Sequence, residues 1–209
     1  MLLNILFQSP QMFMIVILSI IYALTVHEFA HAAAATYLGD NTAKYSGRLT
    51  FNPLAHLEFF GTLMLLLAGF GWGKPVPVNV YNLKWRRFGE LAVSLAGPLS
   101  NFISVILFII VIRFLGTILP YDNLLIIFIA QLIIINMVLG VFNLIPIPPL
   151  DGSKVLFALL PSHLNDLKRK LSVNGPWILL GLLIMDNLLG FNIFGRIFSF
   201  FIRFIEIFL

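Results

Sequence analysis

Residues 11–38 read QMFMIVILSIIYALTVHEFAHAAAATYL, a continuous and largely apolar stretch of 28 residues. About 20 apolar residues in a helix cross a bilayer, so this stretch is long enough to span one. Its only acidic, basic or imidazole side chains are those of His27, Glu28 and His31. Such groups are costly to bury in hydrocarbon and usually mark a functional site. The stretch therefore predicts a membrane helix that carries a site.

The composition of the whole chain points to the same environment. The 209 residues are 60% hydrophobic and 11% charged, and the mean hydropathy is +1.00. Soluble domains average about 45–50% apolar and about 25% charged residues. So few charges cannot cover a water-soluble globule, and so apolar a chain does not stay disordered. The composition predicts an integral membrane protein that contacts the lipid bilayer.

Charge and cysteine content exclude further classes of function. The chain has no cysteine, which removes disulfides, thiolate metal ligands and cysteine nucleophiles. Its net charge of +4 includes no basic patch with interleaved aromatic residues, so we expect no nucleic-acid partner. The N-terminus lacks a basic start and a small-residue cleavage site, so we expect no removable signal peptide.

Further apolar stretches set the expected architecture. Segments 88–119, 123–144 and 173–189 are each predicted to span the membrane. We therefore expect an all-α polytopic membrane protein with about four to six membrane helices. The absence of repeats and linkers predicts a single domain over residues 1–209 with its core at 11–160.

Shorter segments complete this expectation. Segment 56–70 has about 15 residues and contains glycines, so it is predicted to be re-entrant or parallel to the membrane. Residues 191–209 carry a single polar stripe, which favours an interfacial helix over a further span. Alternation over 45–51 and the prolines of 73–79 predict a small element of short strands and loops.

The His27-Glu28-Phe29-Ala30-His31 motif predicts a metal site. Histidines four positions apart share one face of a helix and can bind one ion, while Glu28 lies beside them. The alternative is a pair of core histidines bonded to backbone carbonyls.

A zinc site needs a third protein ligand, and Asp151 is favoured because it follows Pro146, Pro148 and Pro149, where the backbone cannot be helical. A simple Asp-Gly turn is the alternative there. The other ligand candidates lie in loops or near helix ends: His56, His163, Glu90, Asp122 and Asp186.

Three segments resemble the signatures of the site-2 protease family, zinc metallopeptidases that cut within membranes. They are His27–His31, Ala96-Gly97-Pro98-Leu99-Ser100-Asn101, and the segment from Asn143 through Asp151-Gly152. The resemblance covers residues 11–160, and the chain is most similar to the minimal members of the family, which have no PDZ or CBS domains. It implies one Zn²⁺ held by His27, His31 and Asp151, with Glu28 activating water. It also implies that Asn143 contacts the substrate or its oxyanion, and that transmembrane proteins are the substrates.

The predicted ligand set constrains the topology. Zinc bonds of about 2 Å require all three ligands to lie at one depth. His27 lies about 24 Å along a helix that begins near Gln11, close to the far face, and 123–144 ends just before Asp151. Segments 88–119 and 123–144 supply two crossings between these points, so 56–70 must not cross.

Charge then orients the protein. In this topology, ten of the thirteen Lys and Arg residues lie on the catalytic side, which the positive-inside rule makes cytoplasmic. We expect a multi-pass protein of a prokaryotic cell membrane. The ten residues are Lys44, Arg48, Lys74, Lys84, Arg86, Arg87, Lys154, Lys168, Arg169 and Lys170.

Residues near the site suggest how a substrate is held. Val76 and Val78 lie on a predicted strand edge that could hold an unwound substrate in extended form. Asn101 shares a helix face with Ser94 and Gly97, which indicates either a role near the substrate or close helix packing alone. The competing class is a non-catalytic metal-binding membrane protein or a transporter. Transport is disfavoured because the other acidic residues cluster near the ends of spans.

Overall fold

Helices account for nearly all the regular structure. The computed structural model describes residues 2–207, apart from the side chains of Ser162, Asn187, Leu188 and Glu206. In that part of the chain the α-helices are α1 (Leu2–Gln8), α2 (Pro10–Tyr37), α3 (Thr42–Tyr45), α4 (Phe59–Ala68), α5 (Arg86–Leu115), α6 (Leu124–Asn143), α7 (Asp151–Leu159), α8 (Asn165–Leu189) and α9 (Ile193–Glu206). Single 3₁₀ turns lie at Pro53–Ala55, Val80–Asn82 and Ser162–Leu164.

Three helices of the described chain are long and apolar enough to cross a membrane: α2, α5 and α6. They correspond to predicted segments 11–38, 88–119 and 123–144, with ends displaced by up to four residues. The predicted all-α membrane fold is confirmed. The predicted span 173–189 lies inside the longer helix α8, two of whose side chains are not described, and it stays a prediction.

The three long helices form an antiparallel bundle. Helix α5 runs against both neighbours: the hydroxyls of Tyr22 on α2 and Ser104 on α5 lie 3.4 Å apart, and a Cβ on Gly140 of α6 would lie 2.8 Å from the Phe102 ring of α5. This order brings the end of α2, the start of α5 and the end of α6 to one end of the bundle. The main apolar cluster joins α5 and α6 to the last helix through Val105, Ile129, Ile133, Met137, Val141 and Ile205.

The two ends of the segment that contains α4 lie next to each other. Leu57 and Gly73 form an antiparallel bridge, and the Lys74 amide donates to His56 O at 2.8 Å. The return passes so close to α4 that a Cβ on Gly61 would lie 2.0 Å from Trp72 O. With only 10 residues, α4 is about 15 Å long, half the thickness of the hydrocarbon core. These closed ends agree with the expectation that the segment does not cross.

The strands predicted around this segment are wrong. Residues 42–45 form helix α3, and 46–51 form turns. Sequence alternation gives a strand only where a partner strand is available, and here Arg48 turns inward instead, donating to Ala55 O and Lys74 O. Segment 73–79 is extended, but within the described chain its only β-type pairing is the single bridge at Gly73.

The C-terminal third differs from prediction mainly in its boundaries. Helix α7 begins at Asp151, and α8 runs without a break from Asn165 to Leu189, so the predicted segment 173–189 is the second part of a longer helix. Helix α9 packs on α6 through Phe194 and Phe198 against Phe142. The polar stripe of α9 is exposed at Asn192, Arg196, Ser199 and Arg203, and the interfacial placement of this helix stays a prediction. The last two residues of the predicted helix 191–209 lie outside the described chain.

Candidate metal centre

Two histidines of α2 and one aspartate of α7 converge at a buried point. His27 Nε2 and His31 Nε2 lie 3.1 Å apart, one helical turn from each other. Asp151 Oδ2 lies 3.1 Å from the first and 3.0 Å from the second. All three residues are buried, and in the described chain they form the group of side chains able to hold a metal ion. The fold thus brings together the three predicted ligands, although Asp151 lies more than 100 residues after the two histidines in the sequence.

The outer nitrogens of both imidazoles face hydrogen-bond acceptors. His31 Nδ1 lies 2.7 Å from Val93 O, and His27 Nδ1 lies 2.7 Å from Asn101 Oδ1. A carbonyl oxygen can only accept, so each Nδ1 carries the proton and each neutral ring presents a lone pair at Nε2. Two nitrogen lone pairs and a carboxylate oxygen therefore face one another at about 3 Å. That arrangement is repulsive unless a cation lies among them.

The donor set fits zinc. Tetrahedral zinc with bonds of about 2.0–2.1 Å separates its ligand atoms by about 3.3 Å, close to the three observed separations. The three atoms form one triangular face, which leaves a fourth position for water or substrate, as in catalytic zinc sites. Two imidazoles and a carboxylate in a chain without cysteine also suit zinc among the common metals.

Helix α5 approaches the histidines through a glycine. A Cβ on Gly97 would lie 2.4 Å from His31 Nε2 and 2.7 Å from His27 Nε2. Both distances are far below an ordinary contact, so any larger residue would enter the space of the ligands. This is the Gly97 of the Ala96–Asn101 motif, and its position explains why the metal centre requires a residue without a side chain there.

Asp151 reaches the centre because the chain turns sharply after α6. The Leu150 amide donates to Ile147 O at 3.0 Å across the proline-rich turn, and α7 then begins at Asp151 itself. A Cβ on Gly152 would lie 2.2 Å from Leu144 O, so only glycine allows α7 to start this close to the end of α6. The second carboxylate oxygen of Asp151 lies 3.3 Å from Lys154 Nζ, one turn along α7.

Glu28 lies beside the centre and contacts the extended segment. Its side chain is half-buried, and the backbone amide of Val76 approaches its carboxylate closely enough to interact with it. The carboxylate also lies close enough to His27 and Asp151 to interact with them electrostatically. Glu28 is thus at the edge of the metal centre rather than among the three ligand atoms.

The extended segment 74–79 has few free amide donors. The amides of Lys74 and Asn79 donate to His56 O and Asp40, and the Val76 amide faces Glu28. Pro75 and Pro77 have no amide hydrogen. Among the described contacts, the Val78 amide alone has no partner. The Val78 side chain packs against a buried cluster formed by Ala35, Leu38, Leu83 and Val93. The segment therefore presents mainly carbonyl acceptors to an added chain.

Asp40 fastens this segment to the end of α2. Its fully buried carboxylate accepts hydrogen bonds from the Asn79 amide at 2.7 Å, from Asn82 Nδ2 at 3.1 Å and from the Thr42 amide at 3.1 Å. Burial raises the pKa of Asp40, but the hydrogen bonds from Thr42, Asn79 and Asn82 outweigh it and hold the pKa below its usual value.

The remaining predicted site residues lie elsewhere. Asn143 ends α6 and donates to Leu139 O at 3.1 Å, with no hydrogen bond to a ligand side chain among the described contacts. Asn101, for which the sequence left a substrate role and helix packing open, is fully buried with both amide hydrogens engaged, and its Oδ1 lies against His27 Nδ1. The other ligand candidates are not part of the cluster: His56 faces Thr50 O, Asp186 accepts from the Ile193 amide, and His163, Glu90 and Asp122 stay outside it.

Two residues near the centre were not found from the sequence. Lys154 pairs with Asp151, and its spacing of three residues along a helix was the available signal. Asn136 is fully buried in α6 and bonded to Asn101. An amide side chain within an apolar stretch was the signal for Asn136, because such groups in membrane helices usually bond across helices.

Several known proteins are similar in sequence to this chain. A family model described as peptidase family M50 matches residues 120–185. "Putative zinc metalloprotease YwhC" of Bacillus subtilis is 42% identical over 150 residues, which cover 69% of this chain and 68% of that protein. "Putative zinc metalloprotease Rip2" of Mycolicibacterium smegmatis is 32% identical over 182 residues, 85% of this chain and 67% of that protein.

A relative matched over a shorter stretch is "Zinc metalloprotease MJ0392" of Methanocaldococcus jannaschii, 35% identical over 122 residues, which cover 58% of this chain and 35% of that protein. No solved structure matches the chain. The extent of the likeness to the Bacillus protein confirms the family that the sequence motifs resemble. The chain therefore belongs to peptidase family M50, the site-2 protease family, and is a zinc metalloprotease of the membrane.

Proposed function

We propose that this protein hydrolyses peptide bonds within or near transmembrane segments of other membrane proteins. The observation that carries the proposal is the place of the metal centre inside a bundle of membrane-length helices. His31 lies six residues, about 9 Å, before the end of α2, and His27 lies about 15 Å before it. A substrate bond cut there would lie below the membrane surface rather than in a soluble domain.

His27, His31 and Asp151 would hold the metal, and Glu28 would act as the general base. Bound zinc supplies a Lewis acid that activates water and polarises the peptide carbonyl. Glu28 takes the proton from the attacking water and passes it to the leaving amine nitrogen, a transfer that a carboxylate at the edge of the site can make in both directions. Asn143 keeps one amide hydrogen that is not used within α6, and we assign it to the substrate carbonyl oxygen.

Segment 74–79 would hold the substrate in extended form. A transmembrane helix uses its carbonyls internally, so it must unwind before one of them can be attacked. Carbonyls along the segment and the Val78 amide would pair with the backbone of the unwound strand. The approach of the Val76 amide to Glu28 supports a pairing next to the base.

The active site would face the cytoplasm of a prokaryotic cell. The ends of α2 and α6 and the start of α5 form one end of the bundle, and the basic loops follow from these ends. Arg87 at the start of α5 donates to Ala158 O, and the Lys84 amide donates to Leu38 O, which joins basic segments at that end. An excess of Lys and Arg marks the cytoplasmic side. Within this assignment, residues 1–209 act as one domain.

The central test compares the wild type with Glu28→Gln on a panel of single-span substrates, with zinc measured in both. We expect equal zinc content and a loss of cleavage of about 10²–10⁴-fold, because the variant removes the proton acceptor but no metal ligand. Glu90→Gln is the matched control, since Glu90 lies outside the cluster. Cleavage at the wild-type rate by Glu28→Gln would contradict the assigned role.

A further inference from the structure

Two asparagine side chains lie together in the apolar centre of the bundle. Asn101 of α5 and Asn136 of α6 are both fully buried, and Asn101 Nδ2 lies 2.9 Å from Asn136 Oδ1. Asn101 Oδ1 in turn faces His27 Nδ1 at 2.7 Å. Buried amides are costly unless they are fully hydrogen-bonded, and here the bonds link all three membrane-length helices. Asn136 itself does not bond to any of the three predicted ligands.

Backbone carbonyls fix the orientation of both amides. Asn136 Nδ2 donates to Leu132 O at 2.8 Å, and Asn101 Nδ2 donates to Ala23 O at 3.1 Å. Because a carbonyl can only accept, each amide nitrogen must lie on that side and each amide oxygen must face the next donor. The chain of bonds therefore has one direction: His27 Nδ1–H donates to Asn101, Asn101 donates to Asn136, and Asn136 donates to the backbone of α6.

We infer that Asn101 and Asn136 form a positioning relay that holds His27 with its proton on Nδ1 and its Nε2 lone pair toward the metal. The inference rests on the proposed role of His27 as a ligand. Neither asparagine touches substrate. Groups that hold the far nitrogen of a metal-bound histidine fix its tautomer and ring orientation, and their loss typically costs 10–100-fold in metal affinity.

The two members of the relay should contribute unequally. Replacing Asn101 by leucine removes the acceptor of the Nδ1 proton, and we expect zinc affinity to fall by about 100-fold. Replacing Asn136 by leucine leaves that acceptor in place but leaves one Asn101 amide hydrogen unpaired. The amide is then held by Ala23 O alone, and we expect a loss of about 10-fold.

A double-mutant cycle separates this relay from simple helix packing. Zinc Kd is measured by chelator competition on the full chain in detergent for the wild type, Asn101→Leu, Asn136→Leu and the double variant. If Asn136 acts only through Asn101, the double variant binds zinc as weakly as Asn101→Leu alone. A packing role for Asn136 would instead multiply the two losses. Ser104→Ala is the matched control, because Ser104 is a buried polar residue of α5 outside the relay.

Two results would overturn the inference: zinc affinity of Asn136→Leu equal to wild type, or independent losses in the double variant. If the leucine variants do not fold, the metal-free wild type tests the same point through ¹⁵N-histidine spectra, which report which ring nitrogen carries the proton. We expect the His27 proton on Nδ1, and a proton on Nε2 would refute the relay. Failure of the proposed function would be distinct, because the wild type itself would then bind no zinc.

Discussion

The contact between Gly97 and the histidines leads to a quantitative prediction for Gly97→Ala. The added methyl carbon would lie 2.4 Å from His31 Nε2 and 2.7 Å from His27 Nε2, against about 3.4 Å for an ordinary contact. Either the imidazoles retreat or α5 moves outward. Neither adjustment is small, because His31 is held at Val93 O and His27 at Asn101 Oδ1.

The size of the effect follows from these distances. The methyl group must gain about 1 Å from His31 Nε2, whereas zinc bonds tolerate changes of about 0.2 Å. A shift of this size affects both histidine ligands, so we expect zinc affinity to fall by at least about 100-fold, and cleavage with it. Overpacking between α2 and α5 should also lower the free energy of unfolding by about 1–3 kcal/mol.

The assay measures zinc content and zinc Kd of the purified protein in detergent, together with its thermal unfolding. Gly181→Ala is the matched control, because a Cβ at that helical position of α8 meets nothing within 4 Å. The control should keep zinc affinity and gain about 0.5–1 kcal/mol in stability, as alanine replaces glycine in a helix. Wild-type zinc Kd in Gly97→Ala would refute the packing of α5 against the ligands.

Two further predictions concern the extended segment. The lowered pKa of Asp40 means that the folded protein favours the ionised carboxylate, so its stabilising effect is complete above the unfolded pKa of about 3.9 and is lost as pH falls through the lower, folded value. The free energy of unfolding of the wild type, measured by thermal unfolding, should therefore exceed that of Asp40→Asn by about 1.5–3 kcal/mol at neutral pH. This difference should shrink below about pH 4, and a difference independent of pH would contradict the assignment. Val78→Pro removes the one unpaired amide among the described contacts of the segment, so we expect the cleavage rate to fall about 10-fold while zinc content is unchanged. Val78→Ala keeps the amide and should stay active. Val76→Pro is a less selective test because it also removes the amide that faces Glu28.

Several features of this protein follow from sequence alone. Composition set the membrane environment, because a chain with 11% charged residues has no other way to satisfy its surface. Helical periodicity placed His27 and His31 on one face, since this geometry depends only on neighbouring residues. Proline chemistry indicated that the chain before Asp151 could not be helical, and the short length of 56–70 indicated that it could not span.

Local pattern was insufficient where the outcome depended on distant partners. Alternation over 45–51 suggested strands, but the described part of the chain has no strand beside it, and Arg48 turns inward to donate to the carbonyls of Ala55 and Lys74. Val78 was correctly placed on an extended segment, but its neighbours' amides proved to be occupied by His56, Glu28 and Asp40. Such occupancy cannot be read from the segment itself.

The tertiary structure decided what surrounds the metal centre. Sequence grouped Ser94, Gly97 and Asn101 on one face of a helix but could not distinguish packing from contact with a substrate. The antiparallel pairing of α2 and α5 places Gly97 against the imidazoles and turns Asn101 toward His27, and α6 adds Asn136 behind it. These roles depend on which helix lies opposite and at what register, and hydrogen bonds across helices are short-range and directional. A shift of about one residue, 1.5 Å along an axis, would break each of them.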